Sequence, residues 1–199
     1  NANITIITNV RMDHIKDMGD TLEELALALA NTTPTNGTLI VNESEFVKLF
    51  TKQANKRNSS LVVAKPYEGI EDLDTFKDNI AIALEVARTL KLDENKFFEG
   101  MKLYHKDVGA YSEYKKDNTI FLNGFSINDP DSIKIAYEKV VEKYDKNDIT
   151  ILLNSRSDRP TRVSQHIEML NSLKCKKIIL MGSATSYLYK KIKQSIDVD

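Results

Sequence analysis

Four segments of the chain concentrate side chains able to bind an anion, a metal or an activated phosphate. Residues 8–14 end on Asp13-His14, and an imidazole beside a carboxylate can ligate a metal while the carboxylate orients the ring. Residues 121–132 carry Asn123, Asn128, Asp129 and Asp131 into a helix. Backbone N–H groups at a helix start favour anions, although Asp129, Asp131 or Ser132 can equally be ordinary caps. Residues 153–162 hold Arg156, Arg159 and Arg162. Each guanidinium is a planar fork of donors matched to phosphate or carboxylate oxygens, and the alternative is a solvated charged loop. Residues 181–185, Met-Gly-Ser-Ala-Thr, make a small-residue turn able either to approach a phosphate or only to turn the chain.

All four follow short apolar runs that read as strands, which is where an open parallel sheet gathers its ligand groups. Ile4 to Val10 is β-branched, and Thr21-Leu22-Glu23-Glu24 reads as a capping box opening a helix to about residue 30. Strands are expected at 38–41 and 61–64, with a helix at 44–55 between them. A long helix over 73–90 should bury Phe76, Ile80, Ala83, Leu84 and Ala87 at helical spacing, and Asp93 should cap the next. Val108-Gly109-Ala110 breaks that periodicity. Beyond it strands at 119–123, 149–153 and 177–181 alternate with helices at 131–143, 161–173 and 184–195. Such alternation requires crossover connections and a parallel sheet covered by helices. The expected domains are therefore 1–108 and 109–199.

The chain of 199 residues suits one large domain or two small ones. Twenty-eight Lys and Arg against 29 Asp and Glu give a net charge of −1, so there is no basic field for a polynucleotide and no nucleic-acid partner is expected. Cys175 is the only cysteine; an internal disulfide is impossible and a core thiol is expected. The longest apolar runs, such as Ile178-Ile179-Leu180-Met181, fall far short of the roughly 20 residues of a membrane helix. No signal peptide is expected at the start. The phosphate-loop, dinucleotide, C-x-x-C and G-x-S-x-G motifs do not occur. His105 and His166 read as surface or packing residues. The residues by themselves reach an anion- or phosphate-handling α/β protein.

Residues 8–19 with Thr21-Leu22-Glu23-Glu24, then Asn31-Thr32-Thr33-Pro34, Asn36-Gly37, Asp78-Asn79-Ile80-Ala81, Asn123-Gly124-Phe125, Asn128-Asp129, and Asn154 with Arg156, Asp158-Arg159 and Arg162, resemble the B-subunit family of capsular poly-γ-glutamate synthetases in the Mur ligase superfamily. The resemblance runs along nearly the whole chain. It implies an α/β protein: the C-terminal part of a central ATPase domain, then a Rossmann-like C-terminal domain. It also implies an ADP-forming acid–amino-acid ligase that phosphorylates a carboxylate and lets an amine displace the phosphate. Carried over by position, His14 would help hold Mg2+ and Asn79 would lie near the adenine of ATP. Asn123 and Asn128 would serve the nucleotide, and Asp129, Arg156 and Arg159 the chemistry. The implied partners are glutamate or a poly-γ-glutamate chain and an integral-membrane synthetase subunit, with a homo-oligomer compatible, at the cytoplasmic face of the membrane.

The chain departs from the family pattern in four places. The family's phosphate loop would lie before Ile4, and its last stretch beyond Asp199. Gly109-Ala110-Tyr111-Ser112 lacks the arginine expected after Gly-Ala, and Lys16 stands where an acidic residue is usual. Other Mur-type ligases, such as a folylpolyglutamate or cell-wall peptide ligase, share the pattern less well, because Asn128-Asp129-Pro130 replaces their H-N-P or H-T-P loop. A non-catalytic α/β binding module remains the alternative of another class. Without a loop to cradle the β- and γ-phosphates, the 199-residue chain by itself should release no ADP from ATP, and steady ADP production in a coupled assay would contradict this.

Overall fold

The computed structural model describes residues 2–12, 18–67, 77–105, 107–127, 129–158 and 160–192. These divide into two compact units, Asn1–Asn123 and Gly124–Asp199, so the division falls after the β-hairpin that the domain reading above placed in the second half.

In the first unit β1 (Ile4–Ile7), β2 (Thr38–Asn42) and β3 (Ser60–Ala64) form a parallel sheet in the order β1-β2-β3. The register pairs Ile6 with Ile40 and Ile40 with Val62. Alternate residues serve opposite faces. Ile7, Leu39 and Val41 pack with Ala26, Ala30, Phe46 and Phe50 of α1 (Leu22–Ala30) and α2 (Val47–Lys56) with its lead-in. Ile40 and Ala64 pack with Ala81 and Ile82 of α3 (Lys77–Thr89) on the other face. Two-sided cover is why Leu39, Ile40 and Val41 are consecutive and all buried.

Helix ends are chemically marked. Thr21 Oγ1 accepts the Glu24 N–H while the Glu24 carboxylate accepts from the Thr21 N–H, which is the capping box read from the sequence. Asp93 caps α4 (Glu94–Lys102) by accepting from Lys96 N–H. Arg88 joins α3 to α4: Nε and a terminal nitrogen donate to Glu94 and the other terminal nitrogen to Glu85. Hydrogen bonding from Arg88 correspondingly lowers the Glu94 carboxyl from its ordinary range. Along α3 the expected stripe is buried at Ile80, Leu84 and Ala87, whereas Ala83 is only half-buried. Ala81 and Ile82 are buried too, because the helix lies on the sheet as well as against α4. Phe76 lies outside the described residues.

Thr119–Asn123, expected as one more parallel strand, runs antiparallel to its neighbour instead. This strand, β5, pairs antiparallel with β4 (Ser112–Lys116), which the periodicity missed. The two are joined by Asp117-Asn118, with Asp117 at φ 53°, and an Asp/Asn pair tolerating positive φ is a two-residue hairpin signal. Polar Glu113, Lys115 and Lys116 concealed it, because neither face of that strand is buried.

In the second unit β6 (Thr150–Ser155) and β7 (Lys177–Gly182) are parallel, with Leu153 opposite Leu180. They are accompanied by α5 (Pro130–Val141), α6 (Pro160–Ser172) and α7 (Thr185–Ile192). Leu153, Ile178, Leu170, Leu188 and Ile192 form its core. Cys175 is half-buried against that core, and desolvation raises its thiol pKa. The other face of the strand pair shows Leu152, Ile179 and Met181 exposed.

His105 is exposed. His166 lies on α6 with Nδ1 buried and without a hydrogen-bond partner. Desolvation first, and then the Arg162 charge, lowers its pKa below 6.5. A depressed histidine favours folding when neutral, so its contribution is full above the unfolded value near 6.5 and is lost as pH falls through the lower folded value. The denaturation midpoint should therefore drop as the pH falls below about 6.5, and His166→Gln should flatten that part of the profile; an unchanged slope in the variant would refute the assignment.

Candidate functional site

A parallel strand and the helix that follows it run in opposite directions, so strand carboxyl ends and helix starts share an edge. In the first unit that edge carries Thr8 to Met12 after β1, Asn42 at the end of β2, and Asn79 in the first described turn of α3. Asn42 Nδ2 donates to Thr8 O at 2.8 Å, tying the exits of β1 and β2 together. Asn42 was not among the sequence candidates, although a lone asparagine closing Leu-Ile-Val marks a strand exit. Asn79 is exposed. His14, the metal candidate, lies outside the described residues, and so do Asn128 and Arg159.

Asn123 is buried, and its amide nitrogen donates to Val108 O at 2.7 Å. Its first task is thus to hold the end of β5 against the segment before β4. Asp129 accepts the Ser132 N–H at 2.9 Å and caps α5, with Pro130 in the first helical turn. The capping alternative raised from the sequence is therefore realised at Asp129.

The second unit holds the tightest polar arrangement, at the exits of β6 and β7. Gly182 has φ 96°, and a Cβ there would lie 2.0 Å from Ser155 O and 2.7 Å from Asn154 Oδ1, so only glycine permits this approach. The next residue, Ser183, donates its N–H to Ser155 O at 3.0 Å. Its hydroxyl accepts the Ser157 N–H at 2.9 Å and donates to Ser157 Oγ at 3.0 Å. Between the two anchored serines stands Arg156, exposed. Its Nε and one terminal nitrogen bond the two Asp158 carboxylate oxygens at 3.0 and 2.6 Å. This pairing raises the guanidinium pKa, through the hydrogen bond first and the charge second. In solvent such a pair contributes little to stability, but it orients the fork.

The arrangement can receive an anion. Arg156 is accessible, charged at all working pH values and mounted on a loop fixed on both sides. Sequence reading found the arginines and the Gly-Ser turn separately. Their interlock is a pairing across strands, and no local pattern encodes it. Among the described residues no three His, Cys, Asp or Glu side chains come together to hold a metal.

The architecture is that of the Mur-type and folylpolyglutamate ligases. It matches Escherichia coli FolC in complex with DHPP and ADP with a TM-score of 0.75 at 15% identity, covering 100% of this chain and 52% of that one. It matches MurF from Acinetobacter baumannii with a TM-score of 0.67 at 11% identity, covering 98% and 50%. Residues 108–199 match the family described as the poly-gamma-glutamate synthase CapB C-terminal domain. The chain is 35% identical over 198 residues to the capsule biosynthesis protein CapB of Bacillus anthracis, covering 93% of this chain and 42% of that protein. It is 34% identical over 201 residues to the PGA synthase CapB of Bacillus subtilis strain 168, covering 95% and 51%. The chain thus spans about half the length of these relatives.

Gly182→Ala forces both a left-handed backbone and a clash with Ser155 O. It should destabilise the second unit by about 2 kcal/mol or more, read as a lowered denaturation midpoint. Wild-type stability in that variant would refute the close-approach argument.

Proposed function

We propose that this chain is part of an ATP-dependent amide ligase that builds poly-γ-glutamate. In the proposed reaction a substrate carboxylate oxygen takes the γ-phosphoryl group of ATP and releases ADP. The amine of the incoming glutamate then attacks the acyl carbon, and phosphate leaves with the C–O bond electrons. The single observation that carries this reading is the alignment, at 34–35% identity over more than nine-tenths of the chain, with two CapB synthases. The anchored Arg156 loop supports it physically, because a planar fork at a sheet edge suits a glutamate carboxylate.

In this reading Arg156 receives a carboxylate of the acceptor, exchanging it for Asp158, while Arg159 adds positive charge. Asn79 is proposed to lie near the adenine, Asn123 and Asn128 to serve the nucleotide, and Asp129 the chemistry. His14 is the proposed Mg2+ ligand, and Mg2+ would screen the phosphate oxygens. The C-terminal ligase domain is proposed to begin near residue 109, a boundary favoured by the start of the family match at residue 108. Attachment to an integral-membrane subunit at the cytoplasmic face of the membrane belongs to the same proposal.

The test is amide formation by the full protein with ATP, Mg2+, glutamate and γ-linked glutamate oligomers. Loss of a charge-assisted contact in Arg156→Ala should lower kcat/KM for the acceptor about 10- to 100-fold. Arg156→Lys should restore little, because an ammonium cannot reproduce the fork. His14→Ala should abolish ligation while the fold persists. Absence of ADP-coupled amide formation with any glutamate acceptor would overturn the function, and near-normal turnover by His14→Ala would remove the metal assignment.

A further inference from the structure

We propose that Ser183, immediately after β7, is a positioning residue for Arg156: its backbone and hydroxyl clasp the loop on both sides of the arginine and set where the guanidinium meets an incoming carboxylate. The inference rests on the reading of Arg156 as the acceptor contact.

Three hydrogen bonds carry it. Ser183 N–H reaches the carbonyl of Ser155, the residue before Arg156. Ser183 Oγ accepts the N–H of Ser157, the residue after it, and also bonds Ser157 Oγ. One residue of the neighbouring strand exit therefore fixes both peptide neighbours of the arginine. Ser155 is 2% exposed, so the first anchor lies on the core side. Ser157 and Ser183 are exposed, and water would replace their mutual bonds if these were lost. An exposed neutral hydrogen bond adds little net stability, so the principal effect of this one is geometric. The neighbouring Gly182 supplies the room: its missing Cβ lets the two strand exits approach closely enough for the clasp to close. Asp158 then fixes the side-chain direction that the backbone clasp has set up.

The experiment compares the full protein with Ser183→Ala, Ser183→Thr and Ser157→Ala. It measures KM for a γ-linked glutamate dimer, KM for ATP, and hydrogen exchange at the Ser157 amide. Ser183→Ala should raise the acceptor KM about fivefold, the worth of one neutral hydrogen bond, leave the ATP KM unchanged and speed exchange at Ser157. Ser183→Thr keeps the hydroxyl and should restore both readouts. Ser157→Ala keeps the amide donor and should fall between wild type and Ser183→Ala. The proposal is overturned if Ser183→Ala keeps the wild-type acceptor KM, if threonine fails as badly as alanine, or if both KM values rise together. A wild type that forms no amide fails the ligase reading instead. Titration of the same dimer, followed at the amides of residues 155–158, then decides on the clasp: about fivefold weaker binding by Ser183→Ala upholds it, and equal affinity or no binding overturns it.

Discussion

Parallel strand pairing is the constraint from which the rest of this structure follows. Strands that run the same way cannot be joined by tight turns, so helices must carry the chain back over the sheet. Those helices bury both faces of β2, where Leu39, Ile40 and Val41 are 0–1% exposed. Every strand exit in a sheet then lies on one edge. Polar residues at Thr8, Asn42 and Asn79 in one unit, and at Ser155, Arg156 and Ser183 in the other, are neighbours of the strand exits for that reason alone.

At the second edge backbone chemistry and charge are arranged in sequence. A glycine with positive φ removes the steric barrier between two strand exits, a serine bonds across the gap, and the arginine loop inherits a fixed base. The Arg156–Asp158 pair then supplies a fork already aligned for a planar carboxylate. Exchange of one carboxylate for another leaves the number of charge-assisted bonds unchanged. Selectivity for an acceptor must come from what the rest of that acceptor touches, rather than from the ion pair.

Much of this was legible in the residues. The capping box at Thr21-Glu24, the cap at Asp93, and the β-branched and Leu-rich runs of β1, β2, β3, β6 and β7 are local signals, and local signals survive into the structure. Strand β4 was not legible, because an exposed polar ribbon has no hydrophobic period to read; its sign lay in the Asp117-Asn118 turn. Asn123 was read as a ligand group, whereas its amide is engaged at Val108, a bond between residues 15 apart that no local spacing reveals. The arginines were found by composition. Their partner Asp158 stood in the same loop, and only the folded loop shows that the two are bonded to each other.

The strand pair β6–β7 carries Leu152, Ile179 and Met181 on a face that already meets water in the native state. Heat capacity and denaturant sensitivity both follow the apolar surface newly hydrated on unfolding. Those three side chains, 38–44% exposed, add less to either quantity than the consecutive core residues of β2, which count in full. Residue for residue, the exposed stripe of β6–β7 therefore adds less to the curvature of thermal stability, and less to the response to urea, than the buried run of β2 does.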